Sequence, residues 1–259
     1  MADANKGAKI TLYWLEHSRA QRILWLLEEL HLTYELKTFK RGADMLAPKE
    51  LKDIHPLGKS PVISIETPGA HKPLVLAESG LIMEYLCDHF GGDRLKLIPQ
   101  RYAAGKEDQV GGETDEWMRY RYYMHYTEGS FMPFLVMQLV MNSEHQERPV
   151  PFFIKPLTGM VASKVEQAFV TPNLTSHFEF LEDQLKTAPG GGPYLCGKEL
   201  TAADIMMSFP LIASLVKMPD LQARYPRLAE YTDKLQDMDG YKRAVAKVEE
   251  IEGSFSAYA

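Results

Sequence analysis

Ile54-His-Pro-Leu-Gly-Lys-Ser-Pro-Val-Ile-Ser-Ile65 carries the chain from a polar, weakly helical stretch into a β-branched strand through two prolines and a glycine. Pro61 opens the strand Pro61–Ile65, where its missing N–H removes nothing from a ladder that is only beginning. If the Ser60–Pro61 bond is cis, the Ser60 backbone is turned outward and available to pair with the backbone of a ligand. An ordinary trans proline at a strand start is the plain alternative.

Downstream, Leu74–Ala77 is a second short strand, and the turn-rich Glu66–Lys72 between the two makes a hairpin with a longer loop. From Ser79, the positions Leu81, Ile82, Tyr85 and Leu86 have helical spacing until Gly91-Gly92. Upstream, Ile10-Thr-Leu-Tyr-Trp-Leu15 is a strand, Ile23, Leu24, Leu27 and Leu30 mark a helix, and Thr33–Phe39 alternates as another strand. The order β-α-β-α-β-β-α predicts a thioredoxin-like α/β layout, a mixed four-stranded sheet with helices on its faces.

Beyond Gly92 the alternating runs give way to Met, Leu, Tyr and charged residues at helical spacing. We expect a first domain over 1–92, a connector over 93–104 and an all-helical second domain over 105–259, with helices near 106–128, 131–142, 152–170, 173–187, 201–216 and 225–250. Pro149-Val-Pro151, Pro172, Gly190-Gly-Gly192 and Pro219 break them. The 259 residues are 45% hydrophobic and 25% charged with net charge -6, an ordinary globular composition with no basic footprint for nucleic acid. Cys87 and Cys196 lie in apolar surroundings without CxxC spacing, which gives a disulfide framework or a zinc site no support and fits a reducing compartment. The N-terminus lacks signal-peptide character and no stretch of about 18 apolar residues follows, so the chain reads as intracellular, soluble and without a transmembrane segment.

Three places carry candidate chemistry. Glu78-Ser79 precedes a helix at Gly80: Ser79 with the first helical N–H groups suits a small carboxylate and Glu78 an ammonium, together the head group of an amino acid. The bland reading is an N-cap beside a dipole-compensating acid. Ser18 sits at the first strand-to-helix turn, where its hydroxyl either caps the helix or donates outward. No Gly-x-Ser-x-Gly elbow surrounds Ser18 and His17 is only its neighbour, which argues against a hydrolase. The run from Trp117 through Tyr120, Tyr122, Tyr123, Met124, Tyr126, Phe131, Met132 and Phe134 reads as core packing or as an apolar cleft. The two cysteines read as packing residues.

In order and spacing these patterns resemble the glutathione transferase superfamily over nearly the whole chain. The resemblance rests on Leu12-Tyr13, Ser18 to Arg22, His55 to Pro61, Ala77 to Gly80 and Leu200-Thr-Ala-Ala-Asp-Ile205, where Thr201 and Asp204 look like the capping box of that family. More narrowly, His17-Ser-Arg-Ala-Gln-Arg22, Tyr126-Thr-Glu-Gly-Ser130 and Ala203 to Leu211 resemble its fungal branch. The resemblance implies a cytosolic homodimer with one glutathione site per subunit, peripheral association with the endoplasmic reticulum in some fungal members, glutathione as co-substrate, and no metal. It implies conjugation to apolar electrophiles, with reduction of organic hydroperoxides as a side activity. The rival is a regulatory or interaction protein that binds glutathione without using it. Residue by residue, Ser18 stands in the position of the catalytic hydroxyl, with Tyr13 as its rival. Ser60 would pair with the cysteinyl unit, Glu78 and Ser79 with the γ-glutamyl end, and Lys59 with the glycine carboxylate, helped by Lys40 or Arg41. Arg22, one turn beyond Ser18, either tunes the local field or is simply a solvated arginine at its helix position, and the second is the expectation.

Overall fold

The computed structural model describes residues 3–92, 96–144 and 155–256. The strands are β1 (Lys9–Leu15), β2 (Tyr34–Phe39), β3 (Val62–Glu66) and β4 (Leu74–Ala77), in the sheet order β2-β1-β3-β4. β1 runs parallel to β2 with Leu12 opposite Leu36, antiparallel to β3 with Leu12 opposite Ile63, and β3 pairs antiparallel with β4. Helices α1 (Ala20–Glu29), α2 (Leu51–Ile54) and α3 (Ser79–Phe90) complete the expected β-α-β-α-β-β-α order.

Ile10, Leu12 and Trp14 of β1 are buried on the face that α1 covers, while Tyr13 on the opposite face is only partly buried. Gly58 makes the turn between α2 and β3 at φ +56, where a Cβ would also stand 2.7 Å from Lys52 Cγ.

The remaining described elements are helical: α4 (Asp115–Tyr126), α5 (Met132–Glu144), α6 (Lys155–Val165), α7 (Thr171–Lys186), α8 (Ala202–Lys217), α9 (Asp220–Arg224), α10 (Pro226–Asp237) and α11 (Asp239–Glu252). Single π-helical turns, Thr127–Phe131 and Glu166–Val170, join α4 to α5 and α6 to α7. The expected helix over 106–128 begins only at Asp115. Gly105 and Gly111 take φ +76 and +77, the segment turns repeatedly, and Thr114 Oγ1 accepts from Trp117 N at 3.2 Å to start the helix. The expected helix over 225–250 is two helices, because Met238 is extended (φ -63, ψ 138). Pro172 lies in the first turn of α7, where a proline is tolerated, rather than marking a break. The connector positions 93–95, the expected break at Pro149-Val-Pro151 and the start of the helix expected from 152 lie outside the described residues.

Asp204 ties α8 to its surroundings. Fully buried, it accepts from Thr201 N (2.9 Å), Thr201 Oγ1 (2.7 Å), Leu195 N (3.0 Å) and Tyr231 Oη (2.7 Å). The Thr201–Asp204 capping box is therefore also the link between α8, the 194–197 turn and α10. Burial pushes its carboxyl up while these four donors pull it down.

α11 returns to the first domain and packs along α1. Gly240 permits this approach: a Cβ there would stand 2.0 Å from Glu29 Oε2. Gln21 Nε2 donates to Tyr241 Oη at 2.9 Å, Trp25 packs edge-on to the Tyr241 ring, and Arg243 binds Glu28.

Removing the Asp204 carboxylate strands two buried N–H groups and two hydroxyls. Asp204→Ala is expected to lower unfolding free energy by about 3 kcal/mol and Thr201→Ala by about 1 kcal/mol, measured by denaturant titration. A loss under about 1 kcal/mol for Asp204→Ala would contradict the hub.

Candidate active site

The turn from β1 into α1 and the turn into β3 meet at two serines. The Ser60–Pro61 peptide is cis, and Ser60 stands just outside the ladder, which starts where Val62 faces Tyr13 and Ala77. Ser60 Oγ donates to the Tyr13 carbonyl at 3.1 Å and lies 3.5 Å from Ser18 Oγ. Ser18 is 8% exposed; its hydroxyl donates to the Leu15 carbonyl at 2.6 Å and accepts from Ala20 N at 3.2 Å. The hydroxyl has one proton, so donation to any ligand must replace the Leu15 bond. That exchange favours an anionic acceptor, because charge-assisted hydrogen bonds are roughly twice as strong as neutral ones.

Tyr13 contributes its backbone to this place and not its phenol. Its hydroxyl is 3.3 Å from Ser64 Oγ on the other face of the sheet from Leu12 and Trp14, and Lys37 Nζ lies 5.7 Å from its ring centre.

Glu78 is the residue before α3, not Ser79. Helix α3 begins at Ser79, Glu78 holds φ 74 and ψ 120, and its carbonyl accepts from Ile82 N at 3.0 Å. A non-glycine residue at positive φ costs on the order of 1 kcal/mol and draws attention to what its side chain does there. Glu78 is exposed and Ser79 is 4% exposed, so the pair offers one free carboxylate and one sheltered hydroxyl at a helix N-terminus.

A cavity of about 570 Å³ opens between the β2–α2 loop and the Gly58 turn, lined by Lys40, Arg41, Lys49, Lys52 and Lys59 with Asp44 the one acid among its walls. Two of these cations are already engaged. Lys40 pairs with Glu252 of α11 at 3.1 Å, which pushes its ammonium pKa up. The Arg41 guanidinium donates to the carbonyls of Met45 (2.9 Å), His17 (3.1 Å) and Glu16 (3.3 Å), bracing the β1–α1 turn where His17 holds φ 48. Burial pushes Arg41 down. Lys59 is exposed, with no ion pair among the described residues.

Arg22 differs from expectation. It is fully buried, donating to Glu128 of the first π-helical turn and, at 2.9 Å, to the Met206 carbonyl of α8, and burial pushes its guanidinium down to about 10. Arg19 Nε donates to both Glu128 oxygens at 3.0 Å. The sequence pattern assigns Glu128 no role. That the first turn of α1 carries arginine and no acid is visible in the sequence; the burial that makes Arg22 need a distant carboxylate is not.

In the helical domain Tyr120, Tyr123, Met124, Tyr126, Phe131 and Met132 are buried, so most of the aromatic run is core. Tyr126 Oη and His177 Nδ1 are 2.6 Å apart inside it. Cys87 and Cys196 are buried as well; burial pushes the Cys87 thiol up to about 12 and raises that of Cys196 further, as for packing residues. Among the described residues no cluster of metal-ligating side chains occurs and no helix is long and apolar enough to cross a membrane.

A thioredoxin-like domain with a cis-proline turn, set against a helical domain, is the architecture of the glutathione S-transferases. The family models for the glutathione S-transferase N-terminal and C-terminal domains match residues 18–89 and 151–243. The chain is 33% identical over 246 residues to glutathione S-transferase 1 of Saccharomyces cerevisiae, covering 95% of this chain and 98% of that protein. A solved glutathione S-transferase of Actinobacillus pleuropneumoniae superposes with TM-score 0.66 at 27% identity, covering 96% of this chain and 95% of that one. A glutathione transferase homolog of Lodderomyces elongisporus, solved with two GSH per subunit, shares the fold at TM-score 0.66 and 21% identity, covering 91% and 97%. The chain belongs to the glutathione S-transferase family, in its fungal branch.

Ser18→Ala removes an acceptor from the first turn of α1 as well as a donor. It is expected to lower stability by about 1 kcal/mol, whereas Tyr13→Phe, which loses one long surface-side bond, costs less than that; thermal unfolding of the two variants checks the order.

Proposed function

We propose that this enzyme binds glutathione at the junction of the β1–α1 turn and the cis-Pro61 turn, lowers the pKa of its thiol, and adds the sulfur to apolar electrophiles. The observation that carries the reading is the meeting of the Ser18 and Ser60 hydroxyls, 3.5 Å apart, at the open end of β1. Ser60 pairs with the cysteinyl backbone. Glu78 takes the γ-glutamyl ammonium and Ser79 its carboxylate. Lys59 takes the glycine carboxylate, with Lys40 as its helper and Arg41 as the brace of the turn.

Ser18 is the donor to sulfur. An ordinary thiol, with pKa about 8.5, is only a few per cent thiolate at pH 7. Lowering it by about two units needs about 2.7 kcal/mol, which one charge-assisted hydrogen bond at about 1.5–3 kcal/mol and the α1 dipole together supply. Swapping the Leu15 carbonyl for a thiolate is the event that selects the ionised form. The sulfur then attacks the electrophile. With an organic hydroperoxide it attacks the outer oxygen, releasing alcohol, and a second glutathione gives the disulfide and water. Detoxification and protection in oxidative stress follow from this chemistry.

We place the enzyme in the cytoplasm, with peripheral contact to the endoplasmic reticulum, as a homodimer of chains divided at 1–92, 93–104 and 105–259. β4 is an edge strand with Leu74 and Val75 exposed, and Leu81 of α3 and Met118 and Tyr122 of α4 are exposed too; a second copy would cover them.

The second reading, a binder that does not activate glutathione, draws on one fact: the Ser18 proton is already committed to Leu15. Ultraviolet absorbance of the bound thiolate across pH separates the two. A depressed pKa that rises by about one to two units in Ser18→Ala and stays put in Tyr13→Phe supports activation by Ser18; binding without depression supports the second reading. Glu78→Ala and Ser79→Ala are expected to weaken glutathione affinity about tenfold with kcat nearly unchanged, as loss of ground-state contacts requires. Equal losses of kcat and affinity in all three would contradict the division of roles.

A further inference from the structure

Helix α1 starts with the wrong charges. Arg19 caps it and Arg22 sits in its first turn, both at the positive end of the helix dipole, and no acid lies in that turn. Among the described residues the only carboxylate they meet is Glu128, which the first π-helical turn of the other domain presents to both. π-Helical turns of this kind recur at functional sites. Two guanidinium groups on one carboxylate leave a net charge of +1, and Ser18 is the next residue along the chain. Arg22 is wholly buried with Nε lacking a partner among the described residues, and its Nη1 is held by the Met206 carbonyl. The cluster is thus fixed in place, and its excess charge is not neutralised from within.

We propose that Arg19, Arg22 and Glu128 form an electrostatic tuning cluster for the glutathione thiolate: the arginines stabilise the ionised sulfur, and Glu128 positions them while offsetting part of their charge. This rests on the reading of Ser18 as the donor to sulfur. The other charged groups around the junction are Glu16 and His17 in the same turn, Arg41 bound to their carbonyls, Lys59 beside Ser60, and Glu78 after β4, with Asp204 on α8 beyond Met206. None of these changes in the comparison that follows, so they cancel. The thiol proton goes to solvent, and the cluster acts on the charge left behind.

Charge and structure predict different signs. If the cluster tunes by charge, Arg19→Gln raises the pKa of the bound thiol and Glu128→Gln lowers it, each changing the thiolate-to-thiol ratio about three- to tenfold at fixed pH. If the cluster only holds the domains together, both variants break the same contact and shift the pKa in the same direction or not at all, which overturns the proposal. Arg19→Lys keeps the charge without the two-pronged hydrogen bond and is expected to stay within about twofold of the wild-type ratio. Should Glu128→Gln fail to fold, Arg19→Gln against Arg19→Lys decides alone: loss with glutamine and retention with lysine supports tuning, equal loss in both overturns it. The measurement is thiolate absorbance of the full-length protein saturated with glutathione, with dissociation constants determined in parallel and expected to be unchanged at pH below both thiol pKa values. A wild-type thiol with its free-solution pKa would overturn the activation reading, while the sign of the difference between the two glutamine variants would still test the cluster; absence of glutathione binding would overturn both.

Discussion

Helix α1 has no solvent face over its first eight residues: Ala20 to Leu27 are all buried, including Gln21 and Arg22. A helix in that position must be covered on every side, and the rest of the fold can be understood as the means of covering it. The sheet covers it through the β1 face that carries Leu12 and Trp14, α8 approaches from the helical domain, and α11 closes the remaining side. Gln21 and Arg22 then find partners far away in sequence, Tyr241 for Gln21 and Glu128 and Met206 for Arg22. Burying Gln21 or Arg22 without those partners would cost several kcal/mol each. The second domain is thus a condition for the first helix, and through it for the turn that carries Ser18.

That dependence explains where the sequence was legible. Strands β1 to β4 and helices α1 and α3 follow from local periodicity and from the turn residues between them, and the Ser60–Pro61 and Glu78–Ser79 junctions lie where the patterning changes. What local pattern does not contain is the far side of a contact. Arg22 has the spacing of a surface residue on an amphipathic helix, Gln21, Arg22, Glu28 and Glu29 being its polar positions, and only α8 with the π-helical turn makes it an interior one. The two helices read as one over 225–250 part at Met238, whose extended backbone (φ -63, ψ 138) is followed by Asp239-Gly240, a turn signal inside an otherwise helical run. The late start of α4 was legible: Gly105, Gly111 and Gly112 precede Thr114-Asp-Glu116, an ordinary N-terminal signature.

The site combines a rigid frame with a few uncommitted groups. His17 and Glu78 hold positive φ on the two turns that border it, and Arg41 spends its guanidinium on three carbonyls to keep the first of these in place. Strain of this kind persists only where the surroundings over-determine it. Against that frame, the Glu78 carboxylate and the Lys59 ammonium are exposed and have no ion pair among the described residues, opposite charges that adjoin the end of β4 and Ser60. A zwitterionic peptide with an amino-acid head at one end and a carboxylate at the other complements that arrangement.

The Ser18 hydroxyl is the point at which frame and chemistry compete. Its bond to Leu15 completes a turn, and its acceptance from Ala20 starts a helix, so the hydroxyl is positioned by structure before any ligand arrives. A neutral thiol offers little to displace the Leu15 carbonyl, since a thiol sulfur is a weak acceptor and the exchange returns no net energy. A thiolate offers a charge-assisted bond in a place where α1 and its arginines already favour negative charge. On the proposed reading the same hydroxyl distinguishes the two protonation states of the ligand, binding one and ignoring the other. An interaction present for the anion and absent for the thiol lowers the thiol pKa by its full strength, whereas one shared by both would only tighten binding.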